Sequence, residues 1–306
     1  MKRNPILLAA RCYRAWKALR VYPGVFSFGD ACKSLRYVLQ PGRLTEREMR
    51  RFIGTELNIR ELPDGAHEVG IKRNGLMFFW PGRISSGLAG GVLQELDQRN
   101  PHYSTTPPVR LESSSVVLDV GACEGLFALR IAKGKEAGKV ICFEPSGRIA
   151  AYLRQAAVRN GVSALIEVEN CAVGRLSQKV FFKDSDNPEA NHVCKDAADG
   201  ATVVHQVSLD DYCRDKGIRL RPLDLIKVDA EGADMDVIAG AERIIREGSP
   251  QIAVTTYHDP QHAARLIDFL RRVQPRYQLR LKGMTLWEQS NQPRPVLLQA
   301  ALPATP

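Results

Sequence analysis

The chain has 306 residues, 44% of them hydrophobic and 25% charged, and a net charge of +9. That is enough apolar material for more than one minimal domain, and no apolar run approaches the roughly 18 residues of a membrane span. The seven cysteines (12, 32, 123, 142, 171, 194 and 213) are scattered, with no CxxC pair and no cluster at zinc spacing. This argues against a disulfide framework and for a reducing, cytoplasmic setting.

The positive charge is concentrated at one end. Residues 1–51 hold twelve Lys and Arg against Asp30, Glu46 and Glu48, so the remaining 255 residues are close to neutral. Residues 5–20 read as a helix with Pro5 near its first turn and with Arg11, Arg14, Lys17 and Arg20 interrupting an apolar surface. The apolar stretch from Ile6 to Ala10 is too short for a signal peptide. Peripheral contact through residues 1–40 with an anionic membrane or a membrane-embedded glycolipid is one expectation. A helix docked on its own chain, with its basic groups solvated, is the other.

Turn signals follow at Tyr22-Pro23-Gly24 and Gln40-Pro41-Gly42, and Thr45-Glu46-Arg47-Glu48 reads as a capping box opening a helix. Residues 67–80 alternate around Arg73-Asn74-Gly75, the pattern of a hairpin. A helix is expected over Ser86–Gln98 and an irregular linker from Pro101 to Pro108. Residues 1–100 are therefore expected to form a basic helical and hairpin extension, and residues 101–306 a second, larger domain.

From residue 115 the pattern becomes regular α/β. Strand Val116–Val120, helix Leu126–Lys133, strand Lys139–Phe143, helix Gly147–Asn160 and strand Leu165–Val173 come first. Strands at Lys179–Lys183 and Val203–Val207 precede a helix over Ser208–Lys216, with Ser208 as its N-cap. Strand Leu223–Val228, helix Asp234–Glu247, strand Gln251–Tyr257, helix Pro260–Val273 and strands Tyr277–Leu281 and Val296–Ala300 complete the series. Such alternation implies a mostly parallel, doubly wound sheet that binds ligands beyond the carboxyl ends of its strands.

Two segments carry the chemistry. The first is the turn Asp119-Val120-Gly121-Ala122-Cys123-Glu124-Gly125 between strand and helix, where glycines permit positive φ and close backbone approach. Asp119 ends its strand, where it can orient loop amides or meet an ammonium group. Glu144 ends the next strand in Cys142-Phe143-Glu144-Pro145, at the right distance to accept both ribose hydroxyls of an adenosyl cofactor. A dinucleotide fingerprint would need glycine two residues after Gly121, where Cys123 stands, and Glu124 would repel a pyrophosphate. The second segment is Asp224-Leu225-Ile226-Lys227-Val228-Asp229-Ala230-Glu231-Gly232-Ala233-Asp234. Lys227 and Asp229 share a strand face, so Asp229 arrives at the edge that carries the first loop. The helix dipole alone accounts for acids at Asp234 and Asp236, but less well for Asp229.

Residues 115–306 resemble the FkbM family of S-adenosylmethionine-dependent methyltransferases. The resemblance is carried by VVLDVGACEGLFAL (116–129), CFEPS (142–146), VSLDDY (207–212), DLIKVDAEGADMDVIAGA (224–241) and PQIAVTTYH (250–258). It implies a class I methyltransferase (Rossmann-like) fold with a seven-stranded sheet, and O-methylation of a hydroxyl on a sugar, glycolipid or secondary metabolite. It also implies cofactor contacts at Asp119, Gly121, Glu144 and Asn170; the neighbouring Cys123, Glu124, Gly125, Pro145 and Asp229 complete the expected set. The family often has Glu where Asp234 stands, and some members have an acid near Thr255 or Thr256, where this chain continues into Tyr257-His258.

Methylating an alcohol needs an in-line nucleophile and a base. His258 is the expected base, with Asp229 and Glu231 as orienting or metal-binding groups. An oxygen-rich set of Asp229, Glu231 and Asp234 could hold Mg²⁺ and lower the hydroxyl's pKa. His192 and His262 read as ordinary surface or loop residues, although Asn191-His192 could lie over the cofactor. RNA methylation is the rival reading. Base methylation usually shows an Asn-Pro-Pro-Tyr-like turn where this chain has Asp229-Ala230-Glu231-Gly232, and acids there repel phosphate. A non-catalytic adenosyl-binding module is the remaining alternative, and the intact loop and acid array argue against it.

Overall fold

The computed structural model describes residues 9, 13, 16, 20–26, 30, 46–84, 86–96, 102–104, 108–185, 191–194, 200–286 and 293–303. The expected helix over residues 5–20, the turn at 40–42, Thr45 of the capping box and the linker at 101–108 lie wholly or partly outside them. Among the described residues, no helix is long and apolar enough to cross a membrane.

Helix α1 (Glu46–Glu56) leads into β1 (Leu57–Glu61), β2 (His67–Ile71) and β3 (Leu76–Trp80), and α2 (Ser86–Leu96) follows. The expected hairpin is present, and β1 adds a third antiparallel strand through register pairs such as Ile59 with Val69. This small sheet does not stand alone. The Asn160 side chain donates to the Met77 carbonyl at 2.5 Å and accepts from its amide at 3.0 Å, and Lys133 donates to the Gly75 carbonyl. Phe79 stacks on Tyr152.

The main sheet has the order β13-β14-β12-β11-β4-β5-β6, from β4 (Val116–Val120), β5 (Lys139–Phe143), β6 (Ile166–Glu169), β11 (Leu225–Val228), β12 (Gln251–Thr255), β13 (Gln278–Leu286) and β14 (Pro293–Ala301). β6, β5, β4, β11 and β12 are parallel; β14 runs antiparallel to both its neighbours. Alternation builds a core on each face: Val117, Val140 and Cys142 enter one hydrophobic cluster, and Leu118, Val120, Ile141 and Phe143 enter the other. α3 (Leu126–Lys133) and α4 (Gly147–Arg159) pack on the first face, and α5 (Leu209–Asp215), α6 (Asp234–Ala239), α7 (Glu242–Gly248) and α8 (His262–Val273) on the second. Ser146 and Ser208 cap α4 and α5 by accepting from Ile149 and Asp211 amides. The chain turns back between β4 and β11, which is the switch point of the sheet.

Three expectations are corrected. The single strand over 165–173 divides into β6 in the main sheet and β7 (Ala172–Val173). β7 joins β8 (Gln178–Lys183), β9 (His192–Cys194) and β10 (Ala201–Val207) in a separate sheet ordered β7-β10-β8-β9. The single helix over 234–247 is two helices. Gly240 lies against the Gly174 backbone, where a Cβ would overlap the Gly174 carbonyl oxygen, and Asp210 accepts from the amides of Arg243 and Ile244 to start α7 afresh. The last two strands are each nine residues long rather than five, because they pair with one another along their length.

Candidate active site

A cavity of about 890 Å³ opens at the carboxyl ends of β4, β5 and β11. One wall is the turn after β4. The amides of Gly121 and Ala122 donate to the Phe143 carbonyl, which ties the turn to the next strand. Gly121, Cys123 and Gly125 all take positive φ (70°, 48° and 77°). A Cβ on Gly121 would overlap the Asp229 carbonyl oxygen, and one on Gly125 would overlap Leu153. Both glycines are therefore required by space as well as by conformation.

Glu144 reaches into the turn. One carboxylate oxygen accepts from the Ser146 amide at 2.8 Å and the other from the Cys123 amide at 3.1 Å. Burial pushes the carboxyl up to about 7, against the pull of those two amides. Burial likewise raises Glu124. Gly121, Cys123, Glu124, Glu144 and Pro145 line the cavity, together with Asn191 and His192 from the second sheet.

Asp119 and Asn170 do not line it. Asp119 is fully buried behind the turn, 2.8 Å from the Lys227 ammonium. Burial opposes the charge on Lys227, but Asp119 and Asp229 outweigh it and hold the ammonium protonated. Lys227 also donates to the Gly121 carbonyl at 2.9 Å, so Asp119 acts on the turn through lysine. Asn170 donates its amide to the carbonyls of Glu144 and Pro145, bracing the exit of β5. Gly125 stands at the N-cap of α3, outside the lining.

The second wall is acidic. Asp229 follows β11 directly. Its Oδ2 accepts from the Tyr103 hydroxyl at 2.7 Å, and its Oδ1 lies 3.1 Å from Thr255 Oγ1 and 3.5 Å from the Tyr257 hydroxyl. Glu231 takes a left-handed φ of 46° and Gly232 a φ of 98°, so this turn is strained at a non-glycine position. Asp229 and Glu231 line the cavity; Asp234 and His258 stand behind them. Asp234 is fully buried, and both its oxygens are used: Oδ1 accepts from the Ala230 amide and lies 3.0 Å from Thr255 Oγ1, and Oδ2 meets the Gly232 amide and His258 Nδ1. It is therefore not free to join an oxygen-rich Mg²⁺ site, because every lone pair direction facing the turn is already taken by a donor.

The expectation that His258 meets the acceptor changes in the same way. Its Nδ1 lies 3.0 Å from Asp234 Oδ2 and its Nε2 3.2 Å from Glu231 Oε2. Burial lowers its pKa, but Asp234, Glu231 and Asp229 raise it to about 10 in the chain as it stands. His262 is buried beside Asp234 and outside the cavity.

Sequence reasoning missed Tyr103, Lys227 and Tyr257 as site residues. The Asp229–Lys227 face relation was legible, but Tyr103 lies 126 residues from its partner Asp229 and carries no local signal. With Trp80 and Leu88, Tyr103 brings the N-terminal part of the chain to the cavity rim.

The model of the Methyltransferase FkbM domain matches residues 119–277, which contain both walls except Tyr103 and its neighbours. The chain is 30% identical over 160 residues to the 2-O-methyltransferase NoeI of Sinorhizobium fredii (strain NBRC 101917 / NGR234), covering 48% of this chain and 64% of that protein. In fold it is similar to the crystal structure of the methyltransferase FkbM from Methylobacillus flagellatus KT, with a TM-score of 0.52 and 17% identity over 95% of this chain and 58% of that one. The matched part covers less than two thirds of each relative's length. The glycine turn, the carboxylate one strand later and the family match over half the chain agree: the protein belongs to the methyltransferase FkbM family.

Proposed function

We propose that the protein methylates a hydroxyl oxygen of a sugar, glycolipid or other small acceptor held in the 890 Å³ cavity. The observation that carries this reading is the pair of carboxylates, Asp229 and Glu231, that line the cavity beside the cofactor turn. An alcohol is a poor nucleophile until its proton has somewhere to go, and this wall offers acceptors for it. The similarity to NoeI, a 2-O-methyltransferase, supports an oxygen acceptor.

The residues present fit the cofactor. The turn is kept open at Gly121 and Gly125, where side chains would collide, and Glu144 offers a carboxylate to a vicinal diol. Glu124 is a carboxyl suited to an ammonium group. Asp119 and Asn170 position this site through Lys227 and the β5 exit without touching ligand. When bound, S-adenosylmethionine supplies a methyl group on a sulfonium, which the acceptor oxygen takes with release of one proton. Asp229 or Glu231 accepts that proton. His258, behind them, holds the two carboxylates in place. Trp80, Tyr103 and Tyr257 add aromatic surface of the kind that stacks on sugar rings.

The test is transfer of tritiated methyl to pools of glycans, glycolipids, small metabolites and RNA. We expect base-stable methyl ethers on hydroxyl-bearing acceptors, and a loss on the order of 10²-fold or more in Asp229→Asn. Label in RNA alone overturns the reading.

A further inference from the structure

Asp229, Glu231 and His258 meet where the turn after β11 passes the exit of β12. Each presents one donor atom, and these atoms all lie within 4.8 Å of one another. His258 Nε2 is 3.2 Å from Glu231 Oε2 and 4.0 Å from Asp229 Oδ1. A first-row divalent ion with bonds of about 2.1 Å keeps neighbouring ligands roughly 3.0–3.4 Å apart. The cluster is within a small side-chain adjustment of that spacing.

Neighbouring acids alone would mean little. What distinguishes this cluster is the histidine between them. The His258 side chain is only 10% exposed, and its Nε2 is closed to solvent, aimed at the two carboxylates, and without an aligned hydrogen bond. Its opposite nitrogen is fixed by Asp234, which is itself locked by the amides of Ala230 and Gly232. An ion entering here displaces the Nε2 proton, and the carboxylate on Nδ1 then fixes the tautomer whose Nε2 lone pair faces the two carboxylates, the arrangement found behind metal-bound histidines. Asp229 is anchored through Oδ2, which Tyr103 holds; its Oδ1, 4.0 Å from His258 Nε2, also lies 3.1 Å from Thr255 Oγ1, whose single proton Asp234 Oδ1 can take instead. Glu231 is kept in the cluster by a backbone conformation that costs energy, a strain that an ion would repay.

We propose that Asp229, Glu231 and His258 bind one divalent transition-metal ion at the wall of the acceptor cavity. Two carboxylates balance its charge. The imidazole selects Mn²⁺, Fe²⁺, Co²⁺ or Zn²⁺ over Mg²⁺ and Ca²⁺, which prefer all-oxygen sets. This donor set differs from the oxygen-only one expected from sequence, since His258 replaces Asp234 and Asp234 becomes the residue that orients it. The role of the ion rests on the hydroxyl-methylation reading: a hydroxyl bound to it ionises more readily, so the carboxylates need not act as strong bases. Binding itself does not depend on that reading.

The experiment titrates the full-length chain, stripped with chelator, with Mn²⁺ while the paramagnetic resonance signal of the free ion is followed, without cofactor or acceptor. One saturable ion per chain is expected. Glu231→Gln and His258→Ala should weaken binding by about 100-fold or more, and Asp234→Asn by about 10–100-fold. Glu231→Gln is the decisive variant, since that side chain is 38% exposed and its replacement leaves the fold intact, which circular dichroism verifies. Excess Mg²⁺ should not displace Mn²⁺. Absence of saturable binding, binding unaffected by Glu231→Gln, or equal competition by Mg²⁺ overturns the proposal. A parallel titration with S-adenosylmethionine reports on the methyltransferase site alone, so failure of one arm does not stand for failure of the other.

Discussion

Replacing Lys227 by Met tests the arrangement that holds the cofactor turn. Lys227 is buried with its ammonium 2.8 Å from Asp119, which has no exposed surface at all. Removing the cation leaves Asp119 charged in an apolar setting, or forces it to take up a proton. Breaking one side of such a pair costs about 3–5 kcal/mol, because the surviving charge has lost its only compensation for desolvation. For a chain of this size that is roughly 5–8 °C in Tm. Replacing both partners, Asp119→Leu with Lys227→Met, leaves no charge stranded and should recover most of the loss. Cofactor binding should not recover with it, since the double variant still lacks the Lys227 bond to the Gly121 carbonyl. Chemical denaturation gives the stability of the wild type, both single variants and the double. Calorimetric titration with S-adenosylmethionine gives the affinity. If Lys227→Met costs less than about 1 kcal/mol, or the double variant is no more stable than the single, the pair does not carry the weight argued for it.

If the proposed cofactor site is right, Glu144 should make cofactor affinity pH-dependent. With its carboxyl raised to about 7 by burial, it is mostly protonated at pH 6 and ionised at pH 8, so affinity should be about tenfold weaker at pH 6. Titration of Glu144→Gln should show that dependence abolished; if it persists unchanged, Glu144 is not its source. The same group acts on stability with the opposite sign. The folded chain keeps a proton that the unfolded chain releases above its ordinary value of 4.5, so this contribution falls as pH rises from about 4.5 to 7. Tyr103→Phe removes the hydroxyl that anchors Asp229, at a cost of about 1.5–3 kcal/mol. Methyl transfer should fall while cofactor affinity, read by titration, stays within about twofold; an equal loss of both would place Tyr103 in the cofactor site instead. Of the basic N-terminal segment, Tyr13, Trp16 and Val21 are exposed, and Arg20 lies over the Trp16 ring. Such a surface fits contact with an anionic membrane. Deleting residues 1–40 should abolish sedimentation with anionic vesicles, and unchanged sedimentation rejects that contact.

The central fold was legible because its signals are local. Apolar runs at Val116–Val120 and Lys139–Phe143, the serine cap at 208 and glycines after strands each act within a few residues. Where a local pattern met a tertiary contact, the contact prevailed. The helical pattern over 234–247 continues through Gly240, but the Gly174 backbone and the Asp210 carboxylate divide it. The strand pattern over 165–173 cannot reveal that its last two residues pair with β10 rather than β5.

The acids at 119, 144, 229, 231 and 234 and the histidine at 258 were all visible in the chain as candidates, since charged residues at strand ends are conspicuous against an apolar background. Their division of labour was not. Whether a carboxylate faces ligand, salt-bridges a lysine or orients a histidine depends on which side of a turn it leaves, and on what a distant segment places beside it. Asp119 and Asp229 end neighbouring strands, yet one is sealed behind Lys227 and the other meets Tyr103 at the cavity wall. Sequence by itself determined which side chains could do chemistry here and that a mostly parallel sheet would gather them at its carboxyl edge. Only the tertiary structure decided which of them remain available, because burial and pairing are properties of neighbours that the chain brings together across more than a hundred residues.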